Sequence, residues 1–350
     1  MTRARFSSTT PAAAPASPPR AMSGWRARLA RDPIPNLLRE GTPAIVTRVR
    51  RDLIDDSEAP AVEELWNDPE VLLMTKQLGK TGAMVPDEFD KELGNAKFAS
   101  VLATIRFIDR LCDIGLVISP EGAGKPTVLH KACEFVLKSA TEDGGIADLI
   151  LGETPAVRGK TVALHFQGWA LSALCRAGYD DDARVQKGFD FLLAHRQHDG
   201  GWAWRGVRTE SAARPSSHLI TGMVLRAFAS SKIRRVSREP RRAAELIATR
   251  FLQPDRYDDR KAASHWEDIA EPRFWVDVLG ALDSVTAIGL GKENSGVRTA
   301  EAYVRGRQAE DGFWYPGPPD KGAKAAASER DKLAALWLTL RVLLTLRRIN

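Results

Sequence analysis

Phe191–Trp204 reads "FLLAHRQHDGGWAW" and Tyr303–Pro316 reads "YVRGRQAEDGFWYP". In each, an apolar helical run ends in Arg-Gln or Arg-Gln-Ala, then an acid and glycine, then tryptophan. A third stretch, "FVLKSATEDGGIAD" from Phe135 to Asp148, has the same layout. The glycine after the acid falls at Gly144, Gly200 and Gly312, steps of 56 and 112 residues, the second being twice the first. A missing unit therefore belongs near residue 256, where "AAELIATRFLQPDRYDD" keeps the apolar helix and loses the glycines. Upstream, "VLLMTKQLGKTGAM" places Gly82 in a further worn copy. A recurrence every 50 residues or so marks a repeat architecture whose units bury their apolar faces on one another.

Each unit holds two helices. "KTVALHFQGWALSALCRAG" puts Val162, Leu164, Phe166, Trp169, Leu171 and Leu174 at helical spacing and ends at Gly178, a residue suited to a helix C-terminus. Asp180, Asp181 and Asp182 then offer an N-cap and first-turn acids to a helix carrying Val185, Phe189, Phe191, Leu192 and Leu193. "HLITGMVLRAFASS" with "EPRRAAELIATRFL", and "FWVDVLGALDSVTAIG" with "SGVRTAEAYVRGRQ", read the same way. Strand signals are weak throughout, so the sequence predicts an all-α protein of helical hairpins. The recurring glycine serves a tight turn with positive φ. Gln197 is placed to cap backbone groups of a neighbouring helix end, and Trp202 to stack on it and cover the joint between hairpins.

The 350 residues, 43% hydrophobic and 27% charged, suffice for a large core. The net charge of +6 includes Arg3, Arg5 and Arg20 in an acid-free opening, "MTRARFSSTTPAAAPASPPRAM", which lacks the apolar stretch of a secretory signal and reads as a disordered tail over 1–22. A helical lead-in follows over 23–90 and the repeat domain over 91–350. Acids and bases mix beyond the tail, so no nucleic-acid partner is called for. The basic run "SKIRRVSREPRRAAELIATR" reads as a solvated loop and helix start. "LAALWLTLRVLLTL", interrupted by Arg341, is a buried helix, and no stable membrane insertion is expected. Cys112, Cys133 and Cys175 are scattered without metal or disulfide spacing and fit a cytoplasmic location.

With Gln197, Asp199, Gly200, Gly201 and Trp202, and again Gln308, Asp311, Gly312 and Trp314, the sequence resembles the QW repeat of the terpenoid cyclase and protein prenyltransferase superfamily. The resemblance covers about residues 90 to 348, and more weakly the segment from Trp25. It is nearest to small bacterial squalene-cyclase-like (prenyltransferase/squalene oxidase) repeat proteins, on the strength of "DPIPNLLREGTPAIVTRVRRDLID" and "GYDDDARVQKGFDFLLAHRQHDGGW". It implies an α/α toroid with inner helices around a central cavity that takes an isoprenoid or other apolar small molecule.

The superfamily's chemistry has three signatures, and none is present. Squalene-type cyclases protonate an alkene from D-x-D-D, an acid kept protonated by its neighbours; "DLIDDSE", "YDDDAR" and "DRYDDR" each lack one aspartate. Diphosphate-ionising synthases hold magnesium through D-D-x-x-D; "DDARV", "DDSEA" and "DDRKA" lack the last. Protein prenyltransferases hold zinc through Asp-x-Cys; Arg110, Lys131 and Ala173 stand two before the cysteines. HxxxH and HxH are absent and no metal or other cofactor is expected. Two readings follow: an isoprenoid cyclase or transferase with non-standard residues, or a non-catalytic toroid that binds an apolar ligand or a protein partner.

If the first helix of each hairpin is the inner one, its N-terminal end brings His165, Gln167, Trp169, His218, His265 and Trp266 to the cavity, followed by Trp275, Asp277, Lys332 and Trp337. His165 and His218 are candidate acid–base groups, and each has a plainer role as a hydrogen-bonded residue at a helix start. Asp277, within apolar "FWVDVLGAL", is a candidate acid or else one member of an ion pair. Trp169, Trp266, Trp275 and Trp337 are candidate substrate-binding faces, since aromatic rings stabilise cations.

Overall fold

The computed structural model describes residues 24–92, 95–118, 127–151, 161–203, 215–255, 263–272, 274–318 and 328–349. The tail assigned to 1–22, Trp204, and Arg256 with Tyr257 of the worn repeat lie outside the described residues.

Helices make up nearly all the regular structure. The lead-in contains α1 (Ile34–Glu40), α2 (Pro43–Asp52), α3 (Pro69–Lys76) and α4 (Glu88–Glu92), with short 3-10 segments at Gly24–Arg28 and Val62–Asn67. Then come α5 (Ala96–Ile114) and α6 (Val128–Leu137), α7 (Leu164–Leu174) and α8 (Ala183–Ala194), α9 (His218–Ser230) and α10 (Arg238–Ala248). The short α11 (Ser264–Glu267) precedes α12 (Val278–Ala287), α13 (Ser295–Gly306) and α14 (Glu329–Arg348). Two-residue strands β1 (Ile150–Leu151) and β2 (Thr161–Val162) pair antiparallel before α7.

The first helix of each hairpin is the buried one. Every residue of α7 is buried, as is α9 from His218 to Phe228, while α8, α10 and α13 each bury one stripe. Such all-round burial is what a helix apolar on every face demands. The buried helices touch in the order α5, α7, α9, α12, α14, and α2 contacts both α14 and α5, so the circuit closes through the lead-in. Outer helices lie on it: α6 on α5, α8 on α7, α10 on α9 and α12, α13 on α12. Gly168 lets α7 and α9 approach, since a Cβ there would stand 2.8 Å from the Met223 carbonyl oxygen. Ile45, Val49, Leu65 and Val71 of the lead-in belong to the same continuous core as Leu343 near the C-terminus.

The repeated turn has one geometry in four places. Gly82, Gly144, Gly200 and Gly312 have φ of 89°, 91°, 99° and 93°, a region that favours glycine. In each, the residue three before the glycine accepts its N–H and donates to the carbonyl one residue past it, as in Gly200 N to Gln197 O at 3.0 Å and Gln197 N to Gly201 O at 2.8 Å. Two residues past the glycine, a backbone N–H donates to a side-chain oxygen on the next inner helix: Met84 to Thr104 Oγ1 at 3.0 Å, Ile146 to Gln167 Oε1 at 3.0 Å, Trp202 to Thr221 Oγ1 at 2.9 Å, Trp314 to Thr339 Oγ1 at 3.0 Å. The Trp202 and Trp314 indoles donate back to Leu192 O and Val304 O, both at 2.7 Å.

Gln308 caps backbone groups: its Oε1 accepts from Ala30 N at 2.9 Å and its Nε2 donates to Arg31 O at 2.6 Å, tying the last repeat to the start of the lead-in. Gln197 makes no such cap among the described residues, where its Oε1 is buried without a partner, and Trp202 stacks on Phe228 with ring centroids 5.7 Å apart. Asp182 caps α8 through Arg184 N at 2.8 Å, and Asp180 accepts from Lys232 N at 2.7 Å, so this acidic cluster holds one hairpin to the next.

Candidate ligand-binding cavity

A cavity of about 610 Å³ lies inside the helical circuit. Its apolar wall is Met74, Met84, Phe107, Trp169, Phe274 and Trp337, and the exposed Val85 and Arg330 also line it. Phe274 meets Trp169 edge to face at 4.9 Å. The Arg110 guanidinium lies 4.2 Å over the Trp337 ring.

Carboxylates interrupt this wall, each next to a guanidinium. Asp109 and Asp113 project from α5 with Arg106 and Arg110, a spacing that puts all four on one helix face. Asp109 is 5% exposed, accepts the Trp169 indole N–H at 2.9 Å, and pairs with Arg176 and Arg226. Arg176 also reaches Asp113 at 2.6 Å. Arg106 bridges Asp87 and Asp90, both at 2.9 Å, and burial pushes the Asp90 carboxyl up despite that arginine. Glu271, whose side chain is 4% exposed, pairs with Arg341 at 2.5 Å. Burial raises its carboxyl above the ordinary glutamate value, the neighbouring Asp113 charge adds to this, and Arg341 and Arg110 pull the other way.

Of the residues singled out in the sequence, Trp169 and Trp337 line this cavity. His165, His218, Trp266, Trp275 and Asp277 do not, because the segment leading from α11 to α12 folds over the starts of α7 and α9. His165 is 1% exposed, packed on Phe166 at 4.2 Å and Trp275 at 5.7 Å. His218 opens α9, its backbone N–H held by Asp255 at 2.7 Å, its ring 5.7 Å from Trp266. Trp266 donates to Gln253 O at 2.9 Å, a structural contact. Asp277 is not at the cavity wall: it caps α12, accepting from Gly280 N at 2.6 Å and Ala270 N at 3.0 Å, and its charge acts on Arg341. Lys332 is exposed and paired with Glu329 at 2.6 Å. The three cysteines are buried and free, and burial pushes Cys112 up to about 12. Among the described residues no three His, Cys, Asp or Glu side chains are grouped to hold a metal.

No protein-family model matches the chain, and no curated protein matches it. Among solved structures it is similar to a protein from Actinoplanes, with 14% identity over 80% of this chain and 97% of that one and a TM-score of 0.31. It is similar also to the type II terpene cyclase MstE from Scytonema, with 14% identity over 81% and 97% and a TM-score of 0.30. A variant of that cyclase in complex with geranylgeranyl dihydroxybenzoate gives 13% identity, 82% and 98% coverage and a TM-score of 0.31. This is a distant structural similarity.

Sequence reasoning missed the wall residues Asp109, Asp113 and Glu271, and the arginines Arg176 and Arg226 that pair with the two aspartates. The signal for Asp109, Asp113 and Arg226 was charge inside otherwise apolar inner helices, in "IRFIDRLCDI" and "MVLRAF". Buried charge of this kind requires a partner, and the partners lie up to 117 residues away in the chain. Among the described residues no helix is long and apolar enough to cross a membrane.

Proposed function

We propose that the chain is an α/α toroid of the squalene-cyclase/prenyltransferase kind that binds an isoprenoid, or a molecule equally apolar, in its central cavity. The observation that carries this reading is the cavity of about 610 Å³ walled by Phe107, Trp169, Phe274 and Trp337. Apolar pockets with a few convergent polar groups are the usual form of small-molecule sites. The three-part organisation into a tail over 1–22, a lead-in over 23–90 and a repeat domain over 91–350 belongs to this reading. The lead-in supplies Met74 and Met84 to the cavity and closes the circuit through α2.

Catalysis is the second reading, favoured by Glu271. It replaces Asp277, whose carboxylate is taken up by two backbone N–H groups. A buried carboxyl whose proton is held more tightly than usual can serve as an acid in an aromatic cavity. The remaining wall carboxylates, Asp87, Asp90, Asp109 and Asp113, are each paired with an arginine.

The test is to purify the protein, extract it with organic solvent and analyse the extract by mass spectrometry. A stoichiometric polyprenyl or triterpenoid species is the expected outcome. An empty extract, with no binding of farnesyl diphosphate, geranylgeranyl diphosphate or squalene, overturns the isoprenoid reading and leaves a toroid for a protein partner or another apolar ligand.

A further inference from the structure

The basic run "SKIRRVSREPRRAAELIATR" is a held surface rather than a loose loop. Residues 231–237 form the turn between α9 and α10, and Asp180 fixes its backbone, accepting from Ser231 Oγ at 2.5 Å, Lys232 N at 2.7 Å and Ile233 N at 3.3 Å. Arg234 is drawn inward, donating to Gln186 Oε1 at 2.6 Å and pairing with Asp190 at 2.9 Å. The other long side chains of the turn stay outside. Ile233 is 49% and Val236 81% exposed, with Lys232 and Arg235 exposed beside them. The first turns of α10 continue this surface with Arg238, Arg241 and Arg242, all exposed and spaced to share one helix face. Val117, 51% exposed past the end of α5, adjoins it, since Ile118 N donates to Ala177 O at 2.9 Å just before Asp180.

Between Lys232 and Glu245 stand six bases and two acids. Arg234 and Arg241 are taken up by Asp190 and Glu245. Among the described residues Lys232, Arg235, Arg238 and Arg242 are in no ion pair. Arg238 opens α10, an end where the helix dipole disfavours a cation, so helix stability does not account for it. Nor does solvation account for Ile233 and Val236, which cost nothing to replace with polar residues on an exposed turn. A nucleic-acid surface would gain from the cations alone. Cations interleaved with exposed aliphatic side chains instead suit an interface with negative charge at its surface and hydrocarbon beneath.

We infer that the turn over 231–237, the first turns of α10 and Val117 form a docking surface for a bilayer that carries anionic phospholipid. Lys232, Arg235, Arg238 and Arg242 lie against the lipid phosphates, and Ile233 and Val236 enter the headgroup layer. The contact is peripheral, with no helix crossing the bilayer. It does not rest on the isoprenoid reading and survives that reading's failure.

The experiment is vesicle sedimentation of the full chain at low and high ionic strength, with vesicles of phosphatidylcholine alone and of phosphatidylcholine and phosphatidylglycerol in equal parts. Sedimentation with the anionic vesicles only, weakening with salt, is expected. Lys232→Ala, Arg235→Ala, Arg238→Ala and Arg242→Ala combined should lower the affinity about 100-fold or more. If that variant fails to fold by circular dichroism, Arg235→Glu by itself should lose about tenfold or more. Ile233→Ser with Val236→Ser keeps every charge and should lose about tenfold. Equal binding to both kinds of vesicle, or binding to neither, overturns the site. Anionic binding undiminished in the folded charge variant also overturns it, and points to Arg3, Arg5 and Arg20 instead. Vesicle binding undiminished in the double serine variant, together with equal affinity for a DNA duplex, shows a patch that reads charge alone and overturns the lipid assignment.

Discussion

Trp169 donates its indole N–H to Asp109 Oδ2 at 2.9 Å, which joins an aromatic wall of the cavity to the ion pairs beneath it. The same carboxylate holds Arg176 and Arg226, and Arg226 also lies 5.6 Å from the Trp169 ring. Removing the carboxylate strands buried positive charge. Asp109→Ala should cost about 3–5 kcal/mol, the range for breaking a buried pair from one side. Asp109→Asn keeps an acceptor for Trp169 and should cost less. Urea unfolding followed by circular dichroism measures both, and a cost of Asp109→Ala within that of a surface substitution would sink this account of the network.

The repeated turn makes a separate prediction. Thr221→Val leaves the buried Trp202 N–H without its acceptor, and Thr339→Val does the same to Trp314. Each should lower stability by about 1–3 kcal/mol. The two joints are distinct, so the double variant should be additive to within about 0.5 kcal/mol. Gly200→Ala, at φ 99°, should cost about 1–2 kcal/mol from left-handed strain. A neutral Thr221→Val would show that the turn is held by packing alone.

Asp199 gives this joint a pH dependence. Its Oδ2 accepts from Ser216 N and Ser216 Oγ, both at 2.9 Å, and its Oδ1 from Gly201 N at 3.1 Å. Burial alone would raise the carboxyl, but these donors and Arg250 hold it below the ordinary 3.8. A depressed carboxylate contributes stability that is fully present above the unfolded value and is lost as pH falls through the folded one. Asp199→Asn should therefore destabilise at neutral pH by about 1–3 kcal/mol. That difference should shrink below pH 3.8. Denaturant melts of both proteins across the acid range test this, and a gap that stays constant with pH contradicts it.

The turns were legible in the sequence because their glycines recur at fixed intervals and each answers a local backbone need. Even the worn copy at Gly82 adopts the same bonds, Met84 N to Thr104 Oγ1 standing where Trp202 N to Thr221 Oγ1 stands. Alternation of buried and striped helices followed from the apolar spacing. The cavity was less legible. Trp169 and Trp337 were found through their place on inner helices, whereas His165 and His218 were displaced from the cavity wall by a segment whose course no periodicity encodes. Asp277 looked like an isolated acid in an apolar run, and its partners turned out to be backbone N–H groups of a turn and a helix start. Asp109 and Arg226 are 117 residues apart, and only the closed circuit of helices brings them together.

Glu271 separates binding from catalysis. Glu271→Gln preserves shape and removes the proton-donating carboxyl, while Arg341 keeps its bond to Ala270 O at 2.9 Å. If the cavity only binds, the variant should retain the affinity of the wild type for an apolar probe. If Glu271 acts as the acid, turnover of squalene or a prenyl diphosphate should fall about 100-fold or more with little change in probe affinity. The wild-type rate then carries a sign in pH. A raised carboxyl is protonated below its folded value and loses its proton above it, so turnover should decline as pH rises beyond the ordinary 4.5. Melting of the two proteins side by side excludes unfolding as the cause. Wild-type turnover that survives the substitution removes Glu271 from the chemistry, and probe binding without any turnover assigns the toroid to ligand binding.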